Sequence, residues 1–158
     1  MTVHPIRPHL GAIWPSFTLF PLPGVVVVLL GATVGDSAMI AVGALVLVIN
    51  LGIVLNYAHF TSLAVEGDEL VHRTMLGMRE ERVALGALQR IDAKRYAGAH
   101  AGVSAPHFVA RGRDSTVKVN TKPYRLSDFA PLISTLRSVN ARIELDPFWS
   151  MVERGEDV

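Results

Sequence analysis

From Ile13 to Ala58 the chain carries one charged residue, Asp36. Two uncharged runs flank it. Trp14 to Val34 is 21 residues long, and Ser37 to Ala58 is of similar length. At about 1.5 Å per helical residue, each run extends roughly 30 Å, the thickness of a hydrocarbon core. Each is apolar all round, with no polar stripe to meet water, which favours lipid over the interior of a soluble protein. A cleaved signal peptide does not fit, because Pro21 and Pro23 interrupt the first run and the second follows almost at once. The linker Gly35-Asp36-Ser37 is short enough to force the two segments antiparallel. The expectation is a membrane α-helical hairpin over residues 13–59.

Pro15, Pro21 and Pro23 predict a kinked or partly unwound first helix whose regular part begins near Val25, after Gly24. A re-entrant or interfacial first segment is the alternative. Trp14 and Tyr57 stand where interfacial aromatic anchors belong. Asn50 and Asn56 are amides within the second run. They serve helix association or a substrate path, or else a local hydrogen bond and an interfacial position. Gly31 and Gly35 form a small-xxx-small pair, but beside a turn, and are read as serving it. Arg7 precedes the hairpin, fourteen Lys and Arg residues follow it, and the linker has none. The positive-inside bias therefore places both termini on the cytoplasmic side of the cell membrane.

After His59 the composition turns mixed and polar, and the remaining length suffices for one small core. The organisation expected is an N-terminal segment 1–12, the hairpin 13–59, a domain 60–147 and an acidic tail 148–158. The chain has no cysteine, which excludes disulfides, thiolate metal sites and cysteine nucleophiles. Its net charge of +1 conceals an uneven distribution. Arg90, Lys94, Arg95, Arg111, Arg113, Lys118, Lys122 and Arg125 face only Asp92 and Asp114 in the middle. Five acids oppose Arg154 from Glu144 onward.

The domain reads as short strands separated by turns: Phe60 to Val65, Leu70 to Leu76, Arg79 to Leu85, Gln89 to Tyr96, His107 to Arg111 and Thr116 to Thr121. Glu66-Gly67-Asp68-Glu69 and Gly112-Arg113-Asp114-Ser115 are tight turns. Ala97 to Pro106 reads as a Gly-rich loop. The period then changes. Ser127 is a predicted N-cap, and Phe129, Leu132, Ile133, Leu136 and Val139 share one helical face that ends near Asn140. Asp146-Pro147 opens a second short helix bearing Phe148, Trp149, Met151 and Val152, for packing or for docking. The fold class expected is α+β, a small β-barrel or sandwich capped by a C-terminal α-helix.

Two apolar runs, then FTSLAVEGDELVHRTMLGMREERVALGALQRIDA, then HFVARGRDSTVKVNT and a helix, resemble the bacterial pleckstrin-homology-like (PH-like) membrane proteins. The shared pattern is a strand, an acidic turn, ELVHR, a glycine, a basic strand and L-QRI. The resemblance covers roughly Phe60 to Pro147 plus the membrane layout. It implies seven strands in two bent sheets with the helix as cap, so one strand beyond the six above is short or lies within Ala97 to Pro106. Relatives that bind inositol lipids carry basic residues around the first hairpin. Here Glu66-Gly67-Asp68-Glu69 would repel phosphate.

No phosphate loop, dinucleotide fingerprint or His-Glu-x-x-His occurs. Gly102-Val103-Ser104-Ala105-Pro106 lacks the final glycine of a nucleophile elbow and its strand-to-helix context. His100 and His107 are read as exposed loop residues rather than metal ligands. His4, His9 and His59 flank the apolar runs. No catalytic residue, cofactor or metal is expected, and nucleic-acid motifs are absent. The function expected is a non-enzymatic, membrane-anchored module that recruits protein partners, or assembles with itself, at the cytoplasmic face. The alternatives are recognition of anionic lipid by the basic face, or an accessory role in a membrane enzyme or transporter. Arg90, Lys94, Arg95, Lys118 and Lys122 are the candidate partner- or lipid-binding residues.

Overall fold

The computed structural model describes residues 5–9, 11, 21–95 and 106–156. Trp14, Pro15, His4, Tyr96, His100, Ser104 and most of the Ala97 to Pro106 loop lie outside the described residues.

Helix α1 is described over Pro21–Val34 and helix α2 over Ser37–Leu55. Their contacts pair Gly31 with Ile40 and Gly24 with Gly43, so the helices run antiparallel. A Cβ on Gly43 would stand 2.6 Å from Val28 Cγ2 and 2.8 Å from the Gly24 carbonyl oxygen. Only glycine permits that approach, as in tightly packed helices in lipid. Gly35 turns the chain at φ +71°, and Asp36 caps α2, its Oδ1 accepting from the N–H groups of Ala38 (2.8 Å) and Met39 (3.2 Å). Gly35 thus serves the turn, as expected, whereas Gly31 serves the helix contact.

Ser37–Phe60 is the one helix among the described residues that is long and apolar enough to cross a membrane, with mean hydropathy 2.7. Pro21–Val34 is shorter. Its 14 described residues extend roughly 21 Å, less than a hydrocarbon core. Among the described residues the two helices form a packed antiparallel pair in which one member has span length. Asn50 donates from Nδ2 to the Val46 carbonyl at 2.8 Å, the local hydrogen bond of the simpler reading.

Past Leu55 the helix widens into a π-helical turn, Asn56–Phe60, whose Asn56 carbonyl accepts from the Thr61 N–H at 3.0 Å. The chain then enters an α+β domain of two sheets. One is β1 (Ser62–Glu66), β2 (Glu69–Thr74) and β3 (Arg79–Ala84), paired antiparallel in that order. The other contains β4 (Leu88–Lys94), β5 (His107–Gly112), β6 (Thr116–Val119) and β7 (Glu144–Leu145) in the order β6-β5-β4-β7. Helix α3 (Phe129–Val139) lies between β6 and β7 in sequence, and α4 (Pro147–Glu153) follows.

The domain is not a closed barrel. The free edges of β3 and β6 approach each other, and the Glu81 carboxylate accepts the Lys118 N–H at 2.8 Å where a neighbouring strand's carbonyl would otherwise stand. A seventh strand among the described residues is short, as expected, but follows the helix, as two residues parallel to β4. Ser127 does not cap α3. Leu126–Asp128 form a 3-10 turn, and the helix starts at Phe129 with no side-chain cap.

The core lies between the sheets and under both helices. Phe129, Leu132, Ile133 and Leu136 of α3 are fully buried, whereas Val139, at its last turn, is half exposed. Phe108, Phe129 and Trp149 form a ring cluster with centroids 5.1–5.4 Å apart, and Trp149 Nε1–H donates to the Asp92 carbonyl at 3.0 Å. Helix α4 therefore packs on the sandwich, with Asp146 capping it as the sequence predicts.

The N-terminal segment joins this core. Ile6 is buried, and its N–H and carbonyl exchange hydrogen bonds with Leu63 at 2.8 and 2.9 Å. A single apolar residue between Pro5 and Pro8 has no period to read, so nothing in the sequence marks it as a strand partner.

Candidate functional site

Strand polarity divides the sandwich into two ends. β1 leaves directly from the π-turn, so Ser62 and its register partner Arg73, with Glu80 opposite Arg73, lie near the helical pair. Val83 is at the far end, where its side chain abuts Gly112. The β5–β6 turn is therefore far, and His107 and Val119 return to the helical end. Lys94 pairs with His107, which places it there too.

The helical end gathers Lys94, Arg95, Lys122, Arg125 and His9. Arg95 extends beyond β4 and is exposed, as are Lys94 and Lys122. Burial holds the His107 imidazole below its usual pKa, the Lys94 backbone opposes this, and the charge of Lys122 lowers it further. Arg125 contacts the His9 ring, and the N–H of His9 donates to the Pro123 carbonyl at 2.5 Å. Tyr124 is buried next to this strap. Its phenol is raised well above the usual range by burial and then by Tyr57.

The far end holds an open cleft of about 840 Å³ between the β4 start and the end of α3. Arg90, Arg113 and Arg142 line it, with Glu144 at its edge. Arg90 shares Asp92 with Arg111, each guanidinium Nε lying 2.5 Å from one carboxylate oxygen. Arg113 and Arg142 form no ion pair among the described residues. The five nominated residues therefore do not converge. Lys94, Arg95 and Lys122 belong to the helical end, Arg90 to the far cleft, and Lys118 to the outer face of β6 between them. Arg142 reaches the cleft because β7 pairs with β4, a long-range contact with no local signal in the sequence.

The first sheet carries an ion-pair ladder on its outer face. Arg73 binds Glu66 and Glu80, while Arg82 reaches Glu80 and Glu69. The bidentate Arg73 bond holds the Glu66 carboxyl below its ordinary range, and Arg82 does the same for Glu80. The acidic first turn and the adjacent basic strand therefore neutralise each other, leaving no unpaired cationic cradle there.

No protein family, curated protein or solved structure matches this chain. The geometry alone carries the functional reading.

His72 is the one buried titratable histidine among the described residues. Burial lowers its pKa, the facing Glu81 opposes this, Arg79 lowers it further, and the ring bonds to the Lys118 backbone. Together with the Glu81–Lys118 hydrogen bond, it pins the seam between the sheets. No group of three metal-ligating side chains converges among the described residues.

Proposed function

We propose that the protein is a membrane-anchored, non-catalytic binding module. In this reading the α1–α2 pair lies in the bilayer as a two-span hairpin, and a PH-like sandwich at the cytoplasmic face holds a protein partner. The observation that carries it is the pairing of Ile6 with Leu63. This pairing ties the chain before the apolar segment to the chain after it, so both flanks share one side and the number of crossings between them is even. The positive-inside bias makes that side cytoplasmic. Two sheets packed over an amphipathic helix support the PH-like part, although the helix precedes the seventh strand instead of following it.

The partner side is the far cleft, which points away from the helical pair. Arg113 and Arg142 offer guanidinium groups for carboxylates, and Arg90 adds a third. An acidic protein segment is the matching ligand. The test is in-cell cross-linking of the full chain against an Arg113→Glu, Arg142→Glu variant. Loss of the same cross-linked species from the variant supports the reading, and an unchanged set contradicts it.

A second reading, recognition of anionic lipid, is favoured by the position of Lys94, Arg95 and Lys122 at the helical end. Each basic residue held near an anionic surface contributes about 1 kcal/mol. Amide exchange at these positions in the full chain slows in anionic nanodiscs compared with neutral ones, and high salt removes the difference. Equal protection in both contradicts it.

A further inference from the structure

The β2–β3 connection departs from the turn chemistry its backbone demands. Met75 and Leu76 hold φ of 52° and 60°, and Gly77 follows at 78°. Left-handed backbone of this kind selects glycine, asparagine or aspartate, because other side chains crowd the carbonyl. Methionine and leucine stand there instead, and they are not sheltered by the domain. Met75 is 57% exposed, Leu76 51% and Met78 78%. Three neighbouring apolar side chains thus project from one hairpin tip, whose turn is closed by the Gly77 and Met78 N–H groups donating to the Thr74 and Met75 carbonyls at 3.1 Å each.

The position of the tip identifies what covers it. The Leu76 N–H donates to Asn56 Oδ1 at 2.6 Å. Asn56 opens the π-turn, four residues before the chain leaves the helix at Phe60. Along the α2 axis the tip therefore stands level with the start of the π-turn, deeper towards the apolar segment than the point where the chain departs. Phe60, the last residue of the π-turn, is 45% exposed.

We propose that Met75, Leu76 and Met78 form an interfacial wedge that inserts into the headgroup–acyl boundary of the bilayer holding α2. The occupant of this apolar tip is lipid, and the proposal rests on the membrane reading of α2. Buried about 5–10 Å into the interface, as amphipathic surface segments are, the wedge fixes the tilt of the sandwich over its anchor. It presses Lys94, Arg95 and Lys122 towards the headgroups and turns the Arg113–Arg142 cleft to the cytoplasm. This contact with the bilayer, added to the two chain connections to the helical pair, orients the partner-binding end.

The chain has no cysteine, so single probes can be placed in the full protein in nanodiscs. Met78→Cys, Ser115→Cys and Val48→Cys are each labelled with an environment-sensitive fluorophore. Lipids carrying quenchers near the headgroup or deep in the acyl chains are then added. The proposal expects a blue-shifted Met78 probe quenched by the shallow lipid more than by the deep one, a Val48 probe quenched by the deep lipid, and a Ser115 probe quenched by neither. A water-like Met78 probe alongside a quenched Val48 probe overturns the wedge and leaves the anchor standing. A water-like Val48 probe overturns the membrane reading itself. A Met78 probe that is blue-shifted but unquenched by either lipid shows a protein contact, and that also overturns the wedge. Met75→Cys, with the same lipids, checks that the result belongs to the tip.

Discussion

The side-chain oxygen of Asn56 accepts the backbone N–H of Leu76 at 2.6 Å, fastening the end of α2 to the tip of the β2–β3 hairpin. Asn56→Ala removes the acceptor and leaves an N–H to find water. A hydrogen bond of this kind contributes about 1 kcal/mol net. Faster hydrogen exchange at Leu76 with unchanged exchange at Ile91 is the expected result. Unchanged exchange at both would mean that the bond does not fasten the tip.

Gly43→Leu forces α1 and α2 apart, because its first side-chain atom already meets Val28 and the Gly24 carbonyl. Overpacking of this type costs about 1–3 kcal/mol. The midpoint of denaturation in detergent falls accordingly. Gly52→Ala is the control, since a Cβ there meets nothing within 4 Å and its midpoint stays at the wild-type value.

Tyr124 buries a hydroxyl that has no hydrogen-bond partner among the described residues. Tyr124→Phe removes a desolvated, unpaired group while keeping the ring contact with Phe129, whose centroid is 5.8 Å away. An unsatisfied buried polar group costs about 1–3 kcal/mol. The melting temperature of the variant should equal or exceed that of the wild type, and a fall would reveal a partner for the hydroxyl.

Burial of His72 makes stability depend on pH. Its folded pKa lies below the unfolded value of 6.5, so the unfolded chain takes up the proton first. This contribution is complete above that value and is lost as the pH falls from it towards the folded pKa. Glu66 and Glu80, depressed from 4.5, lose theirs in a lower window. Melting temperatures compared at about pH 7.5 and about pH 5.5 should fall on acidification, and His72→Gln should flatten the drop. An equal drop in the variant would assign the effect to another group.

The parts of the fold legible in the sequence are those written in strong local period. Val117 and Val119 alternate and are buried, and Phe129 to Leu136 form the buried face of α3. Asp146-Pro147 starts α4 because capping is a local matter of a few residues. The rest depends on distance along the chain. Ile6 finds Leu63 across the whole apolar segment, Glu81 meets Lys118 from another sheet, and Arg142 arrives at Arg90 only through the β7 pairing. The charge count placed the nominated residues in one basic middle, but strand direction sends Lys94 and Arg90 to opposite ends. The hydrophobic tip has no local signal, because Met75 and Leu76 continue the apolar pattern of the strand and only their positive φ separates them from it.

The central claim is that the chain enters and leaves its apolar segment on one cytoplasmic side. Thr2→Cys, Ser37→Cys and Ser115→Cys variants, treated in intact cells with a membrane-impermeant thiol reagent, test it directly, with permeabilised cells showing that each site can react. Labelling of the Ser37 position alone is the predicted result. Labelling at Ser115 would contradict the orientation, and labelling at Thr2 without Ser115 would contradict the even number of crossings that the Ile6–Leu63 pairing requires.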